Sequence, residues 1–435
     1  MNAEAGPNGE TRTEGTNRAA AMGLRRCHDC DLLIEVGVVP VGASARCGRC
    51  GALLVANKRD PARRALALYL AALLLWAVSN AFPFMTLKLE GREQPSILFS
   101  GALNLYRDGL WELGLLVLLL VIVFPLLKIL LNLSVLFALH MDRRPRYMAR
   151  LFRLVETLRP WSMTEVFLLG VLVAYTKLLD LASIEIGPSM IAFVGLIVAV
   201  VAADAAFHPV DVWDHVHKTP PAPLPAAERA RLVSCHACQL VCRMVDHEDD
   251  EEPVCPRCGA PMHRRKPNSL SRSWALGLAA VLLYIPANVY PVMTVISFGK
   301  GAPSTILGGV EELFEGGMWP LALLVFFASI TVPVLKIVGL VTLLVSVQRG
   351  SKWRLRDRTM LYRIVEAVGR WSMIDIFMLS ILVALVRLGS IATIEPGVGA
   401  ISFAGVVVLT MFAAMSFDPR LIWDAAGANR DRSQH

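Results

Sequence analysis

The 435-residue chain holds no Gly-x-x-x-x-Gly-Lys-Ser/Thr run, so it offers no backbone cradle for nucleotide phosphates, and any active process must draw its energy elsewhere, such as from a proton gradient. Residues 1–26 are polar and lack the apolar core that a cleavable export signal needs. The long apolar runs lack the every-other-residue alternation of barrel strands, which leaves helices as the membrane-crossing element. There is no solitary Cys-x-x-Cys in an α/β setting, as thioredoxin-type chemistry would require; the cysteines come as paired clusters. The formal net charge of +7 follows from loops around apolar segments, and no nucleic-acid partner is expected.

What is present is said twice. Cys27-x-x-Cys30, sixteen residues, then Cys47-x-x-Cys50 recurs as Cys235-x-x-Cys238, sixteen residues, then Cys255-x-x-Cys258. Asn80-x-x-Pro83-x-Met85-Thr86 returns as Asn288-x-x-Pro291-x-Met293-Thr294, and Pro125-Leu-Leu-Lys128 as Pro333-Val-Leu-Lys336. After a two-residue insertion, Trp161-Ser162-Met163 returns as Trp371-Ser372-Met373, and Trp213-Asp214 as Trp423-Asp424. A period this long marks duplication of a domain pair, not a short-unit solenoid.

With 55% hydrophobic residues, the chain reads as mainly α and polytopic. Each of two tandem units is a small metal ribbon followed by four membrane helices, each of about 20 residues. The spans fall near 65–87, 113–139, 163–183 and 189–207, then 274–296, 318–347, 373–392 and 398–417. The expected division is a disordered tail (1–22), ribbon one (23–58), membrane module one (59–210), a Pro-rich linker (211–230), ribbon two (231–266), membrane module two (267–424) and a C-terminal tail (425–435). The loops at 140–153 and 349–363 are rich in arginine, whereas 297–316 carries Glu311, Glu312 and Glu315 against Lys300. The positive-inside rule therefore places the ribbons and both termini in the cytoplasm.

Two Cys-x-x-Cys knuckles per cluster suit a closed four-thiolate metal site on Cys27, Cys30, Cys47 and Cys50, and another on Cys235, Cys238, Cys255 and Cys258. Zinc, two ions per chain, is the first expectation, and iron stays open. Gly51 and Gly259 follow the second knuckles, where a left-handed turn is needed. Disulfides are disfavoured by cytoplasmic placement. Cys242 has no repeat partner and reads as a bystander.

Charges inside spans are costly. Lys128 and Lys336 each follow a proline by three residues, Lys177 and Asp180 share a helical face, and Ser329 and Thr410 replace Val121 and Val200 of the first unit. Snorkelling and helix packing are the plain explanations; a polar pocket biased toward unit two is the sharper one, in which Lys128 tolerates change better than Lys336.

Taken together, the paired ribbons, the Asn-x-x-Pro-x-Met-Thr signature, Gly317-Met-Trp-Pro-Leu-Ala322, Pro-x-x-Lys and Trp-Ser-Met resemble the paraquat-inducible protein A family, with a lean toward its LetA branch. The resemblance covers residues 27–424. It implies an inner-membrane, non-enzymatic component of lipid transport that works with a periplasmic MCE-domain tunnel protein of the LetB or PqiB kind. It also implies zinc ribbons, tetraspanin-like membrane modules, and a transport network of Lys177, Asp180, Ser329, Lys336, Ser372 and Thr410. A thiol-redox defence protein and a non-transporting scaffold for the MCE partner are the alternatives.

Overall fold

The computed structural model describes residues 23–427 apart from 38, 59, 90–91, 142–146, 179–182, 208–212, 214–231, 244–252, 298–299 and 387–391. The expected tail at 1–22, residues 428–435 of the expected C-terminal tail (425–435), the Pro-rich linker apart from Trp213, and the acidic run at 246–252 lie outside the described residues.

Each unit repeats one path. In unit one, helix Pro61–Ala81 leaves the first ribbon and enters a hairpin of strands Met85–Leu89 and Arg92–Ser96. The short helix Ser100–Arg107 then turns the chain into the long helical run Trp111–His140. Helix Met148–Leu158 follows at the ribbon end, and helix Thr164–Leu178 runs back to strand Ser183–Ile186. That strand pairs antiparallel with Met85–Leu89, so both ends of this return path lie at the sheet end. Helix Pro188–Ala206 closes the unit and packs along Pro61–Ala81. Unit two repeats this with helices Ser269–Val289, Trp319–Gln348, Leu355–Gly369, Ile374–Leu385 and Val398–Ser416, and with the sheet Met293–Ser297, Lys300–Ser304 and Ala392–Pro396.

Among the described residues seven helical runs are long and apolar enough to cross a membrane. The eighth expected span, 163–183, is described only in part, because 179–182 lie outside the described residues. Thr164–Leu178 has 15 residues and Ile374–Leu385 has 12, about 22 and 18 Å at 1.5 Å per residue, against a hydrocarbon core of about 30 Å. In unit two the seventh run qualifies only by joining Leu355–Gly369 to Ile374–Leu385 through the 3₁₀ turn Trp371–Met373. Apart from Asp375, every residue of Ile374–Leu385 is buried. It packs against Thr164–Leu178 of unit one, where a Cβ on Gly170 would come within 2.9 Å of Phe377. These two helices form the seam between the units.

Each long second-span helix widens beside its proline. A π-helical segment, Leu119–Val123 or Phe327–Thr331, sits just before Pro125 or Pro333. A proline cannot donate to the preceding turn and its ring crowds it, and the extra residue per turn absorbs that misfit while the helix continues.

The candidate metal and intramembrane polar sites

Ribbon one is two antiparallel hairpins, Gly23–Arg26 with Leu33–Val36 and Ser44–Arg46 with Leu53–Ala56. Each hairpin turn is a Cys-x-x-Cys knuckle. The amide of Asp31 donates to Cys27 O and that of Gly51 to Cys47 O; Gln239 and Gly259 repeat this on Cys235 and Cys255. All four closing residues have positive φ, at 60°, 75°, 57° and 66°. Gly51 and Gly259 were foreseen there; Asp31 and Gln239 bear the strain of a side chain in the left-handed region.

The four sulfurs of each cluster lie within 4.8 Å of one another, and all eight cysteines are buried. Cys27–Cys50 and Cys30–Cys47 Sγ atoms are 3.4 and 3.6 Å apart; Cys235–Cys258 and Cys238–Cys255 are 3.6 and 3.5 Å apart. A disulfide would need about 2.05 Å, whereas a tetrahedron with metal–sulfur bonds of about 2.3 Å has edges of about 3.8 Å. The donor set fits a metal ion. Crowding by neighbouring thiols, then burial, holds Cys30 and Cys238 far above the ordinary thiol range; a dication would reverse that balance. Cys242 lies outside the tetrad with Sγ 3.6 Å from Met262 Sδ, and burial pushes its thiol up to about 11.

Ribbon one docks on unit two. Its cysteines share a core with Leu340, Leu343, Leu344, Tyr362, Phe417 and Trp423. Arg363 reaches Asp29 at 2.5 Å and donates to Cys50 O at 3.2 Å, while Arg49 lies 4.4 Å over the Trp423 ring. Arg265, between ribbon two and the second membrane module, joins Asp31 at 2.8 Å to Asp424 at 2.5 Å. Burial opposes the Arg265 charge, but the two carboxylates outweigh it and hold its proton more tightly than usual. At the same end, burial pushes Asp418 upward, yet hydrogen bonds and charge from Arg420 overcome it and hold that carboxyl below its ordinary value. Sequence spacing carries no trace of this crossed docking.

Inside the membrane, Lys336 Nζ donates to Thr410 Oγ1 at 2.8 Å, and both residues are buried. Ser329, in the π segment, is buried and donates to Val325 O at 2.7 Å. Ser372 is buried with no hydrogen-bond partner for its hydroxyl among the described residues. Its 3₁₀ turn packs against the π segment Phe327–Thr331 and helix Val398–Ser416, so Ser329, Lys336, Ser372 and Thr410 belong to one neighbourhood of unit two. Lys177 lies in helix Thr164–Leu178, but its side chain and all of Asp180 lie outside the described residues.

The sequence reading missed two residues of unit one. Lys128 Nζ meets Asp204 Oδ2 at 2.6 Å, and the Tyr69 hydroxyl donates to Asp204 Oδ1 at 2.5 Å. Asp204 was the available signal, an acid inside the fourth apolar run.

A match to the family described as paraquat-inducible protein A covers residues 62–217 and 270–427. The chain is 36% identical over 407 residues to the intermembrane transport protein PqiA of Escherichia coli (strain K12), covering 92% of this chain and 95% of that protein. It is 30% identical to the lipophilic envelope-spanning tunnel protein A of the same organism, over 92% and 91% of the two chains. A probable intermembrane transport protein of Haemophilus influenzae is 27% identical over 92% of this chain and 95% of its own. The lean toward the LetA branch rested on intramembrane polar residues, whereas over the whole chain identity is higher with the PqiA relative. No solved structure matches. With both halves matched separately and near full-length similarity to these relatives, the chain is a multi-pass membrane protein that belongs to the paraquat-inducible protein A family.

Proposed function

We propose that this protein is the inner-membrane component of an intermembrane lipid-transport system, exchanging phospholipid between the bilayer and a periplasmic MCE-domain tunnel protein, and that it is not itself an enzyme. The carrying observation is the buried polar group of unit two, Lys336 on Thr410 with Ser329 and Ser372 nearby. Such a group persists in a membrane interior when it serves passage or relay. The printed names of the relatives, an intermembrane transport protein and an envelope-spanning tunnel protein, point the same way. Lys177 and Asp180 complete the proposed network. The two tetrads hold zinc as structural braces, with the ribbons and termini in the cytoplasm. A redox role for the paired cysteines is disfavoured by the geometry, since the sulfurs are buried and at metal-tetrahedron spacing.

The test is transfer of a fluorescent phospholipid from proteoliposomes holding the full chain to acceptor vesicles, with a periplasmic MCE-domain tunnel protein supplied as conduit. Transfer is expected with wild type and lost with Lys336→Ala at equal membrane level. Wild-type rates in Lys336→Ala and Asp180→Ala together would return these residues to snorkelling and packing.

A further inference from the structure

Superposing the two units by their repeat register exposes a substitution pattern around the paired lysines. Lys128 corresponds to Lys336, Tyr69 to Gly277, Val200 to Thr410 and Asp204 to Ala414. In unit one the ammonium is neutralised from within, by the Asp204 carboxylate that Tyr69 also holds. In unit two both groups are gone. Lys336 is 3% exposed, its one hydrogen bond goes to neutral Thr410, and it has no acidic partner among the described residues. Where Tyr69 would stand, the chain has a glycine. The result is a narrow cleft whose water-accessible space is about 30 Å³, lined by Trp274, Gly277, Leu278, Lys336, Leu340 and Thr410. Trp274, which replaces Leu66, brings a buried indole N–H that finds no acceptor among the described residues.

A buried ammonium without a counter-charge is costly, and a buried N–H without an acceptor adds to that cost. Both are relieved by one kind of occupant, an anion rich in oxygen acceptors. The cleft also says how the anion arrives. Leu278, at its mouth, is 56% exposed on the outer face of helix Ser269–Val289, so the opening faces lipid. From Gly277 to the ribbon end of its helix is about 12 Å, and from Lys336 to the ribbon end of its own is about 18 Å. A headgroup at this depth has left the interface where annular lipids keep theirs.

We propose that the cleft of unit two binds the phosphate group of an anionic or zwitterionic phospholipid drawn sideways from the ribbon-side leaflet. Lys336 is the counter-charge, Trp274 a second donor, and the acyl chains lie along Leu278 and Val281. Unit one keeps the same lysine permanently satisfied by Asp204 and is the closed copy. This rests on the transport reading and names its substrate contact and entry side.

The test uses the purified full chain in maltoside micelles, titrated with phosphatidylglycerol, with uncharged diacylglycerol, or with inorganic phosphate, and read by native mass spectrometry. Phosphatidylglycerol is expected to remain bound to wild type and diacylglycerol not. Lys336→Gln and Ala414→Asp, which restores the unit-one carboxylate, should each weaken retention by about tenfold or more, equivalent to about 1.4 kcal/mol. Gly277→Tyr, filling the cleft, should do the same with an unchanged melting temperature. Retention unaltered in Lys336→Gln and Ala414→Asp overturns the proposal, as does equal occupancy by inorganic phosphate alone, which would make the occupant a free ion. If those variants keep phosphatidylglycerol while wild type transfers lipid, the cleft fails and the transport reading stands; lipid held through Lys336 by a chain that transfers none has the opposite meaning.

Discussion

Lys128 and Lys336 occupy the same position of a duplicated helix yet face opposite energetic situations, and substitutions should separate them. Lys128 and Asp204 form a close ion pair with side chains 6% and 28% exposed. Removing one partner of such a pair leaves the other charge stranded, at a cost of about 3–5 kcal/mol when fully buried, and toward the lower end here because Asp204 is partly open. Asp204→Ala should therefore lower the melting temperature in detergent by several degrees, while Lys336→Gln, which removes a buried charge with no acidic partner among the described residues, should leave it level or raise it. Equal destabilisation by the two changes would mean that the units treat their lysines alike. The expectation that Lys128 tolerates change better than Lys336 applies to function; in stability the order is reversed. Half of this was legible in the sequence. The valine-to-serine and valine-to-threonine differences at Ser329 and Thr410 pointed to unit two, but Asp204 was absorbed into an apolar run because one acid does not interrupt the hydropathy of its neighbours.

At the scale of elements, the seam between units and the ribbon docking decide how damage spreads. Helix Ser100–Arg107 of unit one packs against helix Ile374–Leu385 of unit two, and a Cβ on Gly101 would meet Ser380 Oγ at 2.5 Å and Ser380 O at 2.9 Å. The second contact is with backbone, which cannot rotate away. Gly101→Ala should thus cost about 1–3 kcal/mol by overpacking, seen as a lower unfolding midpoint; a midpoint equal to wild type would show that the seam is slack. The ribbon gives a less local expectation. Four-thiolate zinc supplies about 10–16 kcal/mol of apparent folding energy to a small domain, so Cys47→Ser should unfold ribbon one and reduce bound metal from two ions per chain to one. Because Asp29 and Cys50 hold Arg363, the loss should raise hydrogen exchange in helix Leu355–Gly369 of unit two, and far less in Met148–Leu158 of unit one. Exchange raised only in unit one would contradict the crossed docking. The knuckles themselves could be read from spacing, since ligand distance along the chain sets the turn. The partner of each ribbon could not, because Asp29 and Arg363 are 334 residues apart and nothing in either local pattern names the other.

For the molecule as a whole, the repeat offset revealed two parallel copies. Hydropathy registers removal from water and does not distinguish lipid from protein as the cover, so the packing of Ile374–Leu385 against Thr164–Leu178 was not legible in it. The pairing of Ser183–Ile186 with Met85–Leu89, and of Ala392–Pro396 with Met293–Ser297, nevertheless fixes the sidedness of each unit. Both three-stranded sheets lie at one end of the helices and both ribbons at the other, so the copies share one orientation, as in parallel repeats. Arginine-rich segments flank the ribbon end at 349–363, while the sheet end of unit two carries Glu311, Glu312 and Glu315. By the bias of basic loops toward the cytoplasm, the sheets should face the periplasm, where a tunnel protein could reach them. In a Cys242→Ala background, single cysteines at Gly91 or Gly301 should react in intact cells with a membrane-impermeant maleimide after outer-membrane permeabilisation. A cysteine at Lys352 should react only after the inner membrane is opened. The tetrad cysteines, buried in their ribbons, should stay silent in both conditions. Labelling at Lys352 in intact cells, with none at Gly301, would invert the topology and leave the lipid cleft opening to the opposite leaflet.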